Sequence, residues 1–196
     1  MTDTSLWRRL AEAGHTRTAE ALDEARQSLE HTDPTVRELA LGALDRAGVL
    51  GVAEWELATA DTDPAVRRRA ALVAAARPGW PLDALLADPA ETVVEAAAWA
   101  AGEQVDVGDG VLARLVALAT DHDDALVREA AVAALGAIGD ERGLPAILRG
   151  CSDKPTVRRR AVLALAPFDT PEVHAALEAA RSDHDWQVRQ AADDLS

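Results

Sequence analysis

The sequence has no Tyr, one Phe, one Met and one Cys in 196 residues, and only two Ile and one Lys, Lys154, against 19 Arg. Strands favour aromatic and β-branched side chains, so a mostly β protein is excluded. A single cysteine, Cys151, forms no internal disulfide, which fits a reducing compartment. Long apolar runs are missing as well. The longest, such as Ala70 to Ala76, fall far short of a bilayer span. The stretch Met1 to Arg9 has no apolar core of signal-peptide length. A soluble, cytoplasmic protein is expected. The scarcity of Lys fits either a GC-rich genome or adaptation to salt.

What is present is Ala, 44 residues, and Leu, 24, the best helix formers. The expected class is therefore all-α. Acidic residues number 34 against 20 basic ones, a net charge of −14. Nucleic acid and anionic membranes repel such a chain, so neither is expected as the ligand. The length suits one domain or one short array with a real core.

An internal repeat organises the chain. Val-Arg recurs at 36–37, 66–67, 127–128, 157–158 and 188–189, and Val93-Val94 fills the remaining place. The Val positions are 30, 27, 34, 30 and 31 residues apart, so the third unit is irregular and the register then recovers. Four residues after each Val stands an Ala: 40, 70, 97, 131, 161 and 192. Three residues before it stands Asp33, Asp63, Asp124 or Asp185 in four units.

Each unit has a physical logic. Asp124 reads as an N-cap, accepting backbone N–H bonds that the first turn leaves open. Val127, Ala131, Leu135 and Ile138 then form a helical apolar stripe, and Gly139 ends it. Pro34, Pro64 and Pro155 suit a first helical turn. An apolar segment precedes each such helix, for example Val111 to Thr120, Leu144 to Arg149 and Glu172 to Arg181. Each unit is thus expected to be a helical hairpin that buries its stripe only against neighbours. The constant Ala is expected where helices approach too closely for a larger side chain. The last unit carries Asp193 and Asp194 where others are apolar or small, as a capping repeat needs. Residues 1–15 are expected to be a capping helix with Leu6, Trp7 and Leu10 inward, followed by six repeats over 16–196 in a single domain 1–196.

The pattern Asp-x-x-Val-Arg-x-x-Ala, followed by Ala-Leu-Gly-x-Ile-Gly-Asp at 134–140, resembles the HEAT-like repeats first associated with phycobilisome lyases. The resemblance implies a right-handed α-solenoid whose second helices line a concave groove. The third unit departs from it. It lacks the Arg, Pro78 and Pro81 squeeze its first helix, and an acidic loop, 103–110, follows.

The repeated Arg37, Arg67, Arg128, Arg158 and Arg189 sit near helix N-termini, where a cation is unfavourable against the dipole. Each needs a carboxylate. The expectation is an Asp–Arg ladder drawing on Asp33, Asp63, Asp124 and Asp185 in the same or neighbouring turns. The residue opposite the Val/Ala stripe reads Glu38, Arg68, Glu95, Glu129, Arg159 and Gln190 through the array. This mixed-charge row is expected to contact a protein partner in the groove. The five Trp are expected mainly as core or filler, with Trp186 a possible contact residue.

Signals for chemistry are weak. His31, His122 and His184 stand in equivalent turns of separate units, too far apart to share a metal. There is no His-x-x-x-His and no His-Glu pair of the kind that di-iron HEAT-like hydroxylases use. Residues 106–110 lack an EF-hand's oxygens, and phosphate loops and nucleophile elbows are absent. No catalytic residue, metal or cofactor is expected. The expected function is a monomeric scaffold or adaptor that binds another protein. The alternatives are a HEAT-like DNA glycosylase, with Glu95 and Trp99 its only notable pair, or a bilin-lyase-like accessory protein.

Overall fold

The computed structural model describes residues 4–104 and 106–195 and is all-α among them. By its contacts the chain forms two compact units, residues 1–74 and 75–196, with the boundary at the head of the irregular third repeat.

The first unit opens with α1 (Thr4–Thr16) and continues with α2 (Ala19–Ser28), α3 (Pro34–Ala47), α4 (Val52–Thr59) and α5 (Pro64–Ala74). α2–α3 and α4–α5 are hairpins. α1 packs on α3, where the second helix of a preceding hairpin would lie. It extends one residue past the expected cap, and Arg17, in the left-handed region at φ 54, turns the chain into α2. Asp33 caps α3 by accepting from the Thr35 N–H at 2.9 Å, and Gly48, at φ 75, ends it. Only a residue without Cβ adopts that φ at no cost.

The second unit holds α6 (Asp83–Leu86), α7 (Glu91–Glu103), α8 (Asp109–Asp121), α9 (Ala125–Ile138), a 3₁₀ turn at Glu141–Gly143, α10 (Leu144–Gly150), α11 (Pro155–Ala164), α12 (Pro171–Ala180) and α13 (Trp186–Asp193). Pro78 and Pro81 leave room for one turn only in α6. Its Leu85 and Leu86 are nonetheless buried, and Arg114 from α8 donates to the Leu86 carbonyl at 3.2 Å. The second helices α7, α9, α11 and α13 stack in order, each beside its own first helix.

The apolar stripe is the core. Val36, Val66, Val93, Val127, Val157 and Val188 are at most 2 % exposed, and the Ala four residues on is at 0 % in all six repeats. That Ala faces the first helix of its own hairpin. The Trp55 indole donates to the Ala70 carbonyl at 2.8 Å, and a Cβ at Gly150 would lie 3.1 Å from the Ala161 Cβ.

Neighbouring second helices also approach closely at Gly102 against Ala134 and Gly136 against Ala164. A Cβ built on Gly136 would fall 2.5 Å from the Ala164 Cβ and 2.6 Å from its Cα. Gly136→Ala is therefore expected to destabilise the protein by about 2 kcal/mol, despite the better helix propensity of Ala, because α9 and α11 must part. Urea unfolding followed by circular dichroism measures it, and a neutral or stabilising result would contradict this packing.

Candidate functional site: the inter-repeat clamp and the second-helix row

The recurring arginine of the array forms a clamp. Arg37, at the first turn of α3, turns its Nη1 to the carbonyls of His31 and Thr32 at 2.8 and 3.3 Å. Its Nε and Nη2 grip both carboxylate oxygens of Asp61, one repeat on, at 2.7 and 2.6 Å. Arg128 does the same, bonding the His122 and Asp123 carbonyls at 2.7 and 2.9 Å and Asp153 at 2.6 and 2.8 Å. Arg158 holds the Asp153 carbonyl at 2.8 Å and Asp183 at 2.9 and 2.7 Å. Arg67 and Arg189 present Nη1 identically, to the carbonyls of Asp61 and Thr62 and of Asp183 and His184. Own-turn carbonyls thus fix the guanidinium plane, and in Arg37, Arg128 and Arg158 the remaining edge, Nε and Nη2, meets the aspartate of the next repeat.

This corrects the expected ladder. Asp33, Asp63, Asp124 and Asp185 make no ion pair with an arginine among the described residues. They are N-caps, accepting from Thr35, Ala65, Leu126 and Gln187. A carboxylate already bonded to its own helix's N–H groups points along that helix, away from the arginine edge. The true acceptors, Asp61 and Asp183, stand two residues before the cap and also accept the cap residue's N–H, both at 2.8 Å. The third, Asp153, immediately precedes Lys154 and accepts its N–H at 2.6 Å.

The pattern is self-consistent. The third repeat has Val94 in place of the arginine, and the fourth has His122 where Asp61 and Asp183 stand. His122 still accepts from Asp124 N–H through Nδ1 at 3.1 Å, as His31 does from Asp33 at 3.0 Å. The turn is preserved and only the inter-repeat charge is lost. Hydrogen bonds from Arg128 and Arg158 hold the carboxyls of Asp153 and Asp183 below the ordinary 3.8. Burial opposes ionisation of Asp61, but its bonds to Arg37 and the Asp63 N–H prevail and lower it too.

The row opposite the stripe is mostly open. Arg68, Glu95, Arg159 and Gln190 are exposed, while Glu38 and Glu129 are half-buried. Glu129 lies 3.6 Å from Arg160 of the next second helix. Each unit carries its own part: Glu38 and Arg68 in the first, the others in the second. Trp99, noted in the sequence for its pairing with Glu95, is not filler. It lies one turn after Glu95, on the same face, and is 47 % exposed. Of the other tryptophans, Trp55 is core, Trp7 and Trp80 are half-buried and Trp186 is exposed.

Chemistry-bearing groups stay apart. Among the described residues no group of three or more His, Cys, Asp or Glu side chains is placed to hold a metal ion. Burial pushes the Cys151 thiol up to about 11, and it packs beside the core of the last repeat. No helix among the described residues is long and apolar enough to cross a membrane.

The chain is similar in fold to several solved structures. The YibA protein of Escherichia coli is 17 % identical with a TM-score of 0.65, over 98 % of this chain and 73 % of that one. A designed armadillo repeat protein in complex with the peptide (KR)4 is 20 % identical with a TM-score of 0.53, over 97 % and 90 %. Human deoxyhypusine hydroxylase is 21 % identical with a TM-score of 0.50, over 98 % and 79 %. At these identities the likeness concerns the fold alone. No curated protein matches the chain. HEAT repeats match residues 78–156 and 112–195, together more than half of the sequence. With its stacked hairpins and clamped turns, the chain belongs to the HEAT repeat family.

Proposed function

We propose that the protein is a non-catalytic, monomeric cytoplasmic adaptor that binds another protein along the exposed face of its second helices. HEAT repeats commonly serve as protein-interaction scaffolds, and stacked helices offer an extended surface for one. The observation that carries the reading is Trp99, 47 % exposed one helical turn after Glu95 of the row. Trp is among the residue types enriched at the energetic centres of protein interfaces. The row mixes signs, Arg68 and Arg159 with Glu95 and Glu129, which suits a protein surface better than a polyanion. The enzyme among the structural neighbours shares the fold at 21 % identity, which brings no activity to this chain.

The test is crosslinking capture from the source cells by the wild type, by Trp99→Ala, and by a variant with Arg68→Glu, Glu95→Arg, Glu129→Arg and Arg159→Glu. A protein held by the wild type should be lost by the fourfold variant and weakened at least about tenfold by Trp99→Ala. Equal capture by all three would overturn the row as the binding face. Turnover of a substrate by the pure protein at an enzyme-like rate would overturn the adaptor.

A further inference from the structure

We propose that the open face of α13 is a docking site for an aspartate-bearing turn of a partner protein, anchored by Arg189. The inference goes beyond the row described above, and it stands or falls on this one side chain.

Arg189 is held as the other arginines are. Its Nη1 donates to the Asp183 carbonyl at 2.8 Å and the His184 carbonyl at 3.2 Å. In Arg37, Arg128 and Arg158 this posture delivers Nε and Nη2 to both oxygens of an aspartate. In Arg189 the same edge has no acceptor among the described residues. Two donors in a fixed fork, already oriented by backbone carbonyls, form a carboxylate receptor with little ordering cost left to meet.

The surroundings narrow the occupant. Trp186, Arg189 and Asp193 lie at i, i+3 and i+7, on one face of α13. Trp186 is 65 % exposed, the most open large apolar side chain described. Asp193 and Asp194 are exposed, and the position of Asp193 carries a buried apolar residue in every other repeat: Leu41, Ala71, Ala98, Val132 and Val162. A further repeat of the same kind would bury the Asp193 carboxylate. A second copy of this chain offers His31 at the matching turn, whose Nδ1 already accepts a bond, so it presents no carboxylate. The surface therefore fits a partner of different make: an aspartate for Arg189, an apolar contact for Trp186, and a basic residue for Asp193 or Asp194.

The test uses the full chain and two pentapeptides. One is Asp-Thr-Asp-Pro-Ala, the sequence at 61–65 that Arg37 holds. The other replaces its first Asp by Asn. Arginine Nε–H resonances are followed by nuclear magnetic resonance during titration. The Arg189 signal should move with the first peptide and bind it about tenfold more tightly than the second, the difference one bidentate charged pair makes. The exposed Arg159 should not respond, and Arg189→Lys should lose the discrimination. Equal binding of both peptides, an equal response at Arg159, or no movement of Arg189 would overturn the proposal. Any of these leaves the second-helix row untouched.

Discussion

Arg128→Ala is expected to destabilise the protein by about 3 kcal/mol, because it strands a partly buried carboxylate and two backbone carbonyls at once. The side chains of Arg128 and Asp153 are only 12 % and 20 % exposed. A surface pair would be worth far less. Arg160→Ala, which removes the exposed 3.6 Å contact with Glu129, is the control and should cost under about 1 kcal/mol. Urea unfolding of both variants checks the contrast. If the two cost the same, the clamp is not what ties these repeats together.

The clamp also sets an acid limit. Asp61, Asp153 and Asp183 titrate below 3.8 when folded and at their ordinary value when unfolded. The unfolded chain therefore takes up protons first as pH falls. The stabilisation is fully present above the unfolded value and is lost as pH drops through the folded ones. Stability should decline steeply below about pH 4, and Asp153→Asn should flatten that decline at the expense of stability near neutrality.

Trp55→Ala should be more damaging still, about 4 kcal/mol. Trp55 is 2 % exposed and is the largest fully buried side chain. Its removal from α4 leaves a cavity against the constant Ala70 and takes away the indole bond to the Ala70 carbonyl. Trp55→Phe keeps most of the volume and loses the bond, so about half that cost is expected. A cost below about 1 kcal/mol for Trp55→Ala, measured by urea unfolding, would contradict the packing of α4 on α5.

Much of this architecture is legible in the sequence, because it rests on short-range rules. The Val and Ala of each stripe, the Asp caps and the glycine at 139 act within one helix, and all stand where spacing puts them. The shortening of α6 follows from two prolines. What escapes is what depends on stacking. The arginines' partners lie 24 or 25 residues away, in the next turn, whereas the nearest aspartates in sequence are spoken for by their own helices. A signal was available: the acid at 61 and 183 is absent at 122, one repeat after the arginine is absent at 94. Gly102 and Gly136 set further close approaches between neighbouring second helices, while the constant Ala lies close against its own hairpin partner, as Ala161 does against Gly150. Most Trp read as filler by residue type, whereas the place of Trp99 one turn after Glu95 sets it on the open face.

The most direct test of the account is a double-mutant cycle at the clamp. Arg128→Ala, Asp153→Ala and the double variant are unfolded in urea beside the wild type. Because each single change strands the other's charge, the double variant should cost markedly less than the sum of the two, with a coupling of about 2 kcal/mol. Additive costs would show that Arg128 and Asp153 do not act on each other, and the stacking of repeats through an arginine and the aspartate of the following turn would be wrong.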